Sequence, residues 1–124
     1  MKWTVNNMRR LYKELNTKAF DNTLPMVIIK LSYNTYMTYD NNKIRPCGLY
    51  DGRKQKSITL YVNNLEPGQV KETMLHEMIH LMQHINGRKL KHGNYFFKHL
   101  RKACEKANVR FDDEFYIATK FANR

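Results

Sequence analysis

Glu72-Thr73-Met74-Leu75-His76-Glu77-Met78-Ile79-His80 is the stretch on which the reading of this chain turns. Met74, Leu75, Met78, Ile79, Met82 and Ile85 recur at helical spacing and give a broad apolar stripe. On a helix, His76 and His80 are offset by only about 40° and sit roughly one turn apart along the axis. Both imidazoles can then point at one ion. Glu77 lies beside them, near enough to take a proton from an attacking water without binding the ion itself. That is the mechanical logic of a His-Glu-x-x-His motif, and it points to metal-assisted hydrolysis. The two variable positions, Met78 and Ile79, fall on the packed side of the helix.

A catalytic zinc takes three protein ligands and keeps one position for water. One class of such sites continues with a glycine and then a third histidine; here Gln83 and Asn86 stand in those places, so that pattern fails. Another class uses a later glutamate. Glu105 is the only acidic residue between Glu77 and Asp112. Counted from His92 it lies about 220° around a helix, among Lys102 and Lys106, which suits a solvated surface. His92 is the better third ligand. With Gly93 it falls in the short connection before the last helix, where a loop histidine can swing over the first pair and glycine permits close backbone approach. His84, one turn beyond His80, reads as a flanking residue. His99, two turns into the last helix, reads as a helix-face histidine.

Outward from this centre, Pro67-Gly68 opens the motif helix and Asn86-Gly87 ends it. A last helix is expected from about Asn94 to Lys106, burying Phe96, Phe97, Leu100, Ala103 and Cys104. The tail from Val109 onward is aromatic and charged and yields no assignment. Towards the N-terminus, Thr4 caps a helix carrying Val5, Met8, Leu11, Tyr12, Leu15 and Ala19 on one side. It should end near Phe20, before Asp21-Asn22-Thr23 and Leu24-Pro25. Trp3 is expected to be a core contact. Residues 26–33 alternate as a strand, with Val27, Ile29, Leu31 and Tyr33 on one face. The polar, tyrosine-rich stretch 34–45 extends that strand or forms a loop, with a turn at Asp40-Asn41-Asn42. Gly48-Leu49-Tyr50 and Ser57-Ile58-Thr59-Leu60-Tyr61-Val62 read as two strands joined at Asp51-Gly52. Residues 57–62 are the candidate for an exposed sheet edge that pairs with an extended peptide.

At 124 residues the chain fits one domain, 1–124, and its 42% apolar content is too rich for a disordered polymer. There are 22 basic against 11 acidic side chains, a formal net charge of +11, which suits a polyanionic partner, nucleic acid first. Cys47 and Cys104 form no Cys-x-x-Cys pair, which excludes a cysteine zinc ribbon within the chain; free, partly buried thiols in a reducing cytosol are expected. The N-terminal residues lack the apolar run of a signal peptide, and no stretch approaches a membrane span. A cytoplasmic, monomeric protein without membrane contact is therefore expected.

Four segments resemble the SprT-like, or Spartan-like, metallopeptidases, together running over roughly residues 11 to 104. Leu15-Asn16 with Phe20 and Leu24-Pro25 is similar to that family's first-helix signature. Cys47-Gly48-Leu49-Tyr50 followed by Ser57-Ile58-Thr59-Leu60 is similar to its glycine-containing strand pair. Residues 72–80 match most strongly, and His92-Gly93-Asn94-Tyr95-Phe96 is similar to its His-Gly-x-x-Phe element. The resemblance implies a compact zincin-like α+β fold, with a small three- to four-stranded sheet flanked by an N-terminal helix, the motif helix and a C-terminal helix. It implies one Zn2+ on His76, His80 and His92, with Glu77 as the catalytic residue of a zinc metallopeptidase. It also implies protein substrates, among them proteins attached to DNA. Many relatives carry a cysteine-rich zinc ribbon after this core. Here Arg88, Lys89, Lys91, Lys98, Arg101, Lys102, Lys106 and Arg110 are expected to supply phosphate contacts instead.

Two other function classes stand beside the peptidase. One is a basic nucleic-acid-binding regulatory module with a structural, non-catalytic zinc site; Glu77, which such a site does not need, speaks against it. The other is a metal-dependent hydrolase acting on bonds other than peptides. For the oxyanion, Tyr95 and the tyrosines of 33–39 are conceivable donors, although packing is the ordinary role of a tyrosine ring.

Overall fold

The computed structural model describes residues 3–53 and 55–111. The tail that resisted assignment lies, from residue 112 on, outside the described residues.

Helix α1 (Val5–Phe20) begins where expected: the Thr4 hydroxyl accepts the Asn7 backbone N–H at 3.0 Å. It buries Met8, Leu11, Tyr12, Leu15, Ala19 and Phe20, and Trp3 packs partly buried against the same core. The helix stops because Asp21 and Asn22 take left-handed backbone (φ 52° and 62°), a conformation these short polar residues tolerate. Asn16 then clamps the outgoing chain. Its Nδ2 donates to the Leu24 carbonyl at 2.9 Å and its Oδ1 accepts the Leu24 N–H at 3.2 Å. Tyr12 adds its hydroxyl to the Pro25 carbonyl.

Strands β1 (Ile28–Ser32), β4 (Gly48–Asp51) and β5 (Ser57–Tyr61) form a mixed sheet in the order β1-β5-β4. β1 runs parallel to β5, pairing Ile29 with Ile58 and Leu31 with Leu60; β4 runs antiparallel to β5, pairing Gly48 with Leu60 and Tyr50 with Ile58. Ile29, Ile58 and Leu60 face the core, as their alternation requires. Residues 34–45 contain a separate hairpin of β2 (Met37–Tyr39) and β3 (Asn42–Ile44). Its two-residue turn, Asp40-Asn41, has both residues at positive φ (51° and 63°), the twist that suits a tight hairpin.

One expectation is overturned. Residues 57–62 are not a sheet edge: Ser57–Tyr61 form the central strand, with Ile58 and Leu60 at 0% exposure, and Val62 begins a 3-10 turn. The edges are β1 and β4. The apolar alternation in 57–62 marks one core-facing side; the central place comes from pairing with β1 on one edge and β4 on the other, which alternation does not encode.

A 3-10 turn at Pro67–Gln69, closed by the reciprocal Glu66–Gln69 capping box, leads into α2 (Val70–Ile85). Helix α2 packs against α3 (Asn94–Lys106), β4, β5 and α1, so it is buried almost all round. Met74, Leu75, Met78 and Ile79 take the apolar side; removing each from water contributes about 1.5–3 kcal/mol. A second buried stripe is polar: Thr73, His76, Glu77, His80 and Gln83. These recur at three- and four-residue steps, so they share one face. α2 ends with Gly87 at φ 71°, where the Arg88 N–H reaches the Gln83 carbonyl at 2.8 Å and the Gly87 N–H that of His84 at 3.0 Å. The chain reverses there and returns as α3, burying Phe96, Leu100, Ala103 and Cys104, with Phe97 partly buried. Among the described residues the fold is thus α+β, three helices around a small mixed sheet plus a hairpin.

Candidate metal centre

The α2–α3 reversal brings His92 over the polar face of α2. His76 Nε2 and His92 Nε2 are 3.1 Å apart, and His80 Nε2 and His92 Nε2 are 3.0 Å apart. Among the described residues, His76, His80 and His92 form a group able to hold a metal ion, with ligand atoms all within 4.8 Å of one another. His76 and His80 are buried and His92 half-buried. Four-coordinate zinc with nitrogens at ~2.0–2.1 Å holds those nitrogens roughly 3.3–3.4 Å apart. The two closest pairs here fall within a few tenths of an ångström of that spacing, so the chemistry of the donor set suits the ion.

Phe96 backs all three ligands. Its ring centroid lies 4.7 Å from that of His76 and 4.8 Å from those of His80 and His92. One fully buried phenyl ring therefore orients the imidazoles and keeps water from behind them. Burial lowers the pKa of His76 well below its usual range, helped by the neighbouring His80 and His92; burial lowers that of His80 to about 4, opposed by the Gln83 hydrogen bond and then helped by His92. Both rings are neutral at pH 7, the state that binds metal.

Glu77 is 1% exposed, and its Oε2 lies 3.8 Å from His76 Nε2. Burial raises its pKa well above the usual carboxylate range, and the Tyr50 backbone amide pulls it back. Among the described residues its Oε1 has no hydrogen-bond partner. A buried, unpaired carboxylate oxygen beside three convergent imidazoles is expensive unless a cation or a polar ligand joins the group.

Two glycines of the β4 region let the sheet approach α2. A Cβ on Gly48 would lie 2.9 Å from Glu77 Oε2 and 3.0 Å from Thr73 Cγ2. A Cβ on Gly52 would lie 2.6 Å from His84 Nδ1. Gly93 has no such role: a Cβ there would meet only the Lys91 side chain, at 3.6 Å, and its φ of −103° is ordinary. The expected close approach belongs to Gly48 and Gly52 instead.

The other histidines lie apart from the trio. His84 Nδ1 is 2.7 Å from the Tyr50 hydroxyl, and His99 packs on the Tyr95 ring at 4.3 Å. Glu105 is exposed. Tyr95 lies beneath the Arg88 guanidinium at 3.8 Å, a packing role. A cleft of about 410 Å³ opens beside the centre, lined by Tyr39, Leu49, Tyr50, His80, Leu90, Lys91 and His92. Tyr39 is the member of the 33–39 tyrosines that reaches it; Tyr50 also lines it and was not singled out by sequence.

Cys47 and Cys104 are free and buried, and burial raises their thiols to about 11 and about 12. Among the described residues, no helix is long and apolar enough to cross a membrane.

No curated protein and no solved structure matches the chain. The model of the SprT-like family matches residues 8–119, a span that takes in most of α1, the strand pair, the motif helix and the histidine of the return loop. With most of the chain matched and the trio assembled on the elements that carry the resemblance, this chain belongs to the SprT-like family.

Proposed function

We propose that the protein is a zinc-dependent endopeptidase in which His76, His80 and His92 hold one Zn2+ and Glu77 manages the proton. The observation that carries this is the unpaired Glu77 Oε1, buried on the helix face that presents two of three convergent imidazoles. When bound, zinc supplies Lewis acidity, bringing an attacking water towards ionisation at neutral pH and polarising the scissile carbonyl. Glu77 accepts the water's proton and passes it to the leaving amine. Its raised pKa, caused by burial, makes it a stronger base than an exposed carboxylate. Phe96 excludes water from the rear of the centre. The edge strand β4, with Leu49 and Tyr50 on the cleft, offers backbone groups to an extended peptide, the part once expected of 57–62.

The substrate class in this reading is protein associated with DNA. Arg88, Lys89, Lys91, Lys98, Arg101 and Lys102 are exposed on the return loop and α3, and Lys91 lines the cleft itself. Free thiols at Cys47 and Cys104 support a reducing, cytoplasmic setting. A basic module with a purely structural ion would leave the burial of Glu77 without a purpose.

The test is direct. Purified protein should hold about one zinc per chain and cleave an unstructured protein, faster with DNA and more slowly as salt rises. Glu77→Gln should keep the zinc and lose about 100- to 10,000-fold in rate. Wild-type protein without stoichiometric zinc overturns the proposal; equal rates with and without DNA overturn its DNA part alone.

A further inference from the structure

Gln83 is buried to 2% exposure in the polar stripe of α2, three residues after His80. Its Oε1 lies 2.8 Å from His80 Nδ1, and its Nε2 donates to the Lys91 carbonyl at 3.0 Å. Lys91 immediately precedes His92. One amide therefore joins a ligand on the helix to the backbone beside a ligand on the loop.

The direction of these bonds follows from donor and acceptor chemistry. The Lys91 carbonyl can only accept, so the Gln83 end facing it must be the NH2 group. The end facing His80 is then the amide oxygen, which can also only accept. His80 Nδ1 must therefore carry a hydrogen, and in the neutral ring that leaves Nε2 as a bare lone pair. His80 Nε2 is the atom 3.0 Å from His92 Nε2, at the point where the three rings converge. A backbone carbonyl on the loop thus dictates, through one side chain, which nitrogen of a helix histidine is free.

We infer that Gln83 is a positioning residue, fixing His80 in its Nδ1–H tautomer and strapping the His92 loop to α2 before any ion arrives. The inference rests on the zinc reading of the centre. It goes beyond it by assigning ligand preorganisation to a residue outside the His-Glu-x-x-His motif. An unstrapped site would pay in both tautomer selection and loop ordering at the moment of binding. Partners of this kind contribute about 10- to 100-fold in metal affinity.

The test uses the full chain, labelled with 15N at histidine, with and without zinc. In metal-free wild-type protein the His80 ring nitrogens should report the Nδ1–H tautomer. Gln83→Leu, which can neither accept nor donate, should show a mixture of tautomers. Its zinc affinity, measured by chelator competition, should fall about 10- to 100-fold. Gln83→Glu keeps an acceptor for His80 but, when ionised, has no hydrogen for Lys91. It should retain the Nδ1–H tautomer and recover part of the lost affinity.

An Nε2–H tautomer in metal-free wild-type protein overturns the inference. So does wild-type zinc affinity in folded Gln83→Leu. If Gln83→Leu fails to fold, Gln83→Glu decides: a tautomer mixture there overturns the inference and a retained Nδ1–H signal supports it. Absence of zinc binding in the wild type sinks the zinc reading, while the metal-free tautomer still decides what Gln83 does.

Discussion

Asn16 and the histidine trio are both buried polar clusters, and they are built to opposite ends. At Asn16 each end of the amide finds a backbone partner, Leu24 supplying both, and nothing further is needed. At the trio, imidazole nitrogens face one another at 3.0 and 3.1 Å and Glu77 Oε1 has no partner. The first cluster is complete as folded and contributes stability. The second leaves Glu77 Oε1 without a partner among the described residues, which costs stability, and on the proposed reading a cation joining the group offsets that cost. Satisfaction of buried polar atoms thus separates the part of the molecule that holds it together from the part that acts.

The sharpest way to break this contrast is to add and remove the ion. Zinc held at about 1,000 times its dissociation constant should stabilise the wild type by about 4 kcal/mol, and a chelator should abolish the gain. His92→Leu should lose most of that gain. In chelator its difference from the wild type should be smaller than in zinc. Denaturant titrations with and without zinc check both outcomes.

Acid should then separate the two clusters in the metal-free protein. The folded pKa of His80, about 4, lies below its ordinary 6.5, and that of His76 is lowered as well. As pH falls through 6.5 the unfolded chain takes up these protons first, so stability present above pH 6.5 is lost progressively towards pH 4. Glu77, raised above its ordinary 4.5, works in the other direction: its contribution is full below pH 4.5 and is lost as pH rises through its folded pKa. Glu77→Gln should remove the loss on the alkaline side and leave the acid loss in place, as pH-dependent unfolding would report.

The smallest effect belongs to the finished cluster. Asn16→Ala should cost about 1–3 kcal/mol, equally in zinc and in chelator, because it leaves both Leu24 backbone groups without their partner. Zinc affinity should not change. An altered affinity would mean that the clamp and the metal centre are coupled through α1 and α3.

Local pattern explains what could be read from the chain. α1, α2 and α3 were legible because their apolar spacing, the Thr4 cap and the Gly87 stop are all written within a few residues of the helices they bound. The histidine trio able to hold a metal was legible because two of its members sit on one helix and the third in the return loop. The hairpin at 37–44 was obscured by a polar, tyrosine-rich sequence whose faces do not alternate clearly. The central place of β5 depends on parallel pairing with β1, a distant partner that no local signal names. The bonding role of Gln83 was not legible for the same reason: its second bond goes to a backbone carbonyl, and no side-chain pattern encodes that.

The helical hairpin of α2 and α3 carries every proposed zinc ligand, whereas the strand that crowds Glu77 belongs to a sheet closed by long-range pairing. Nearby contacts form early and distant ones late. On the proposed reading, ion capture during biogenesis can therefore precede assembly of the cleft, so a newly made chain would be loaded before it could cut.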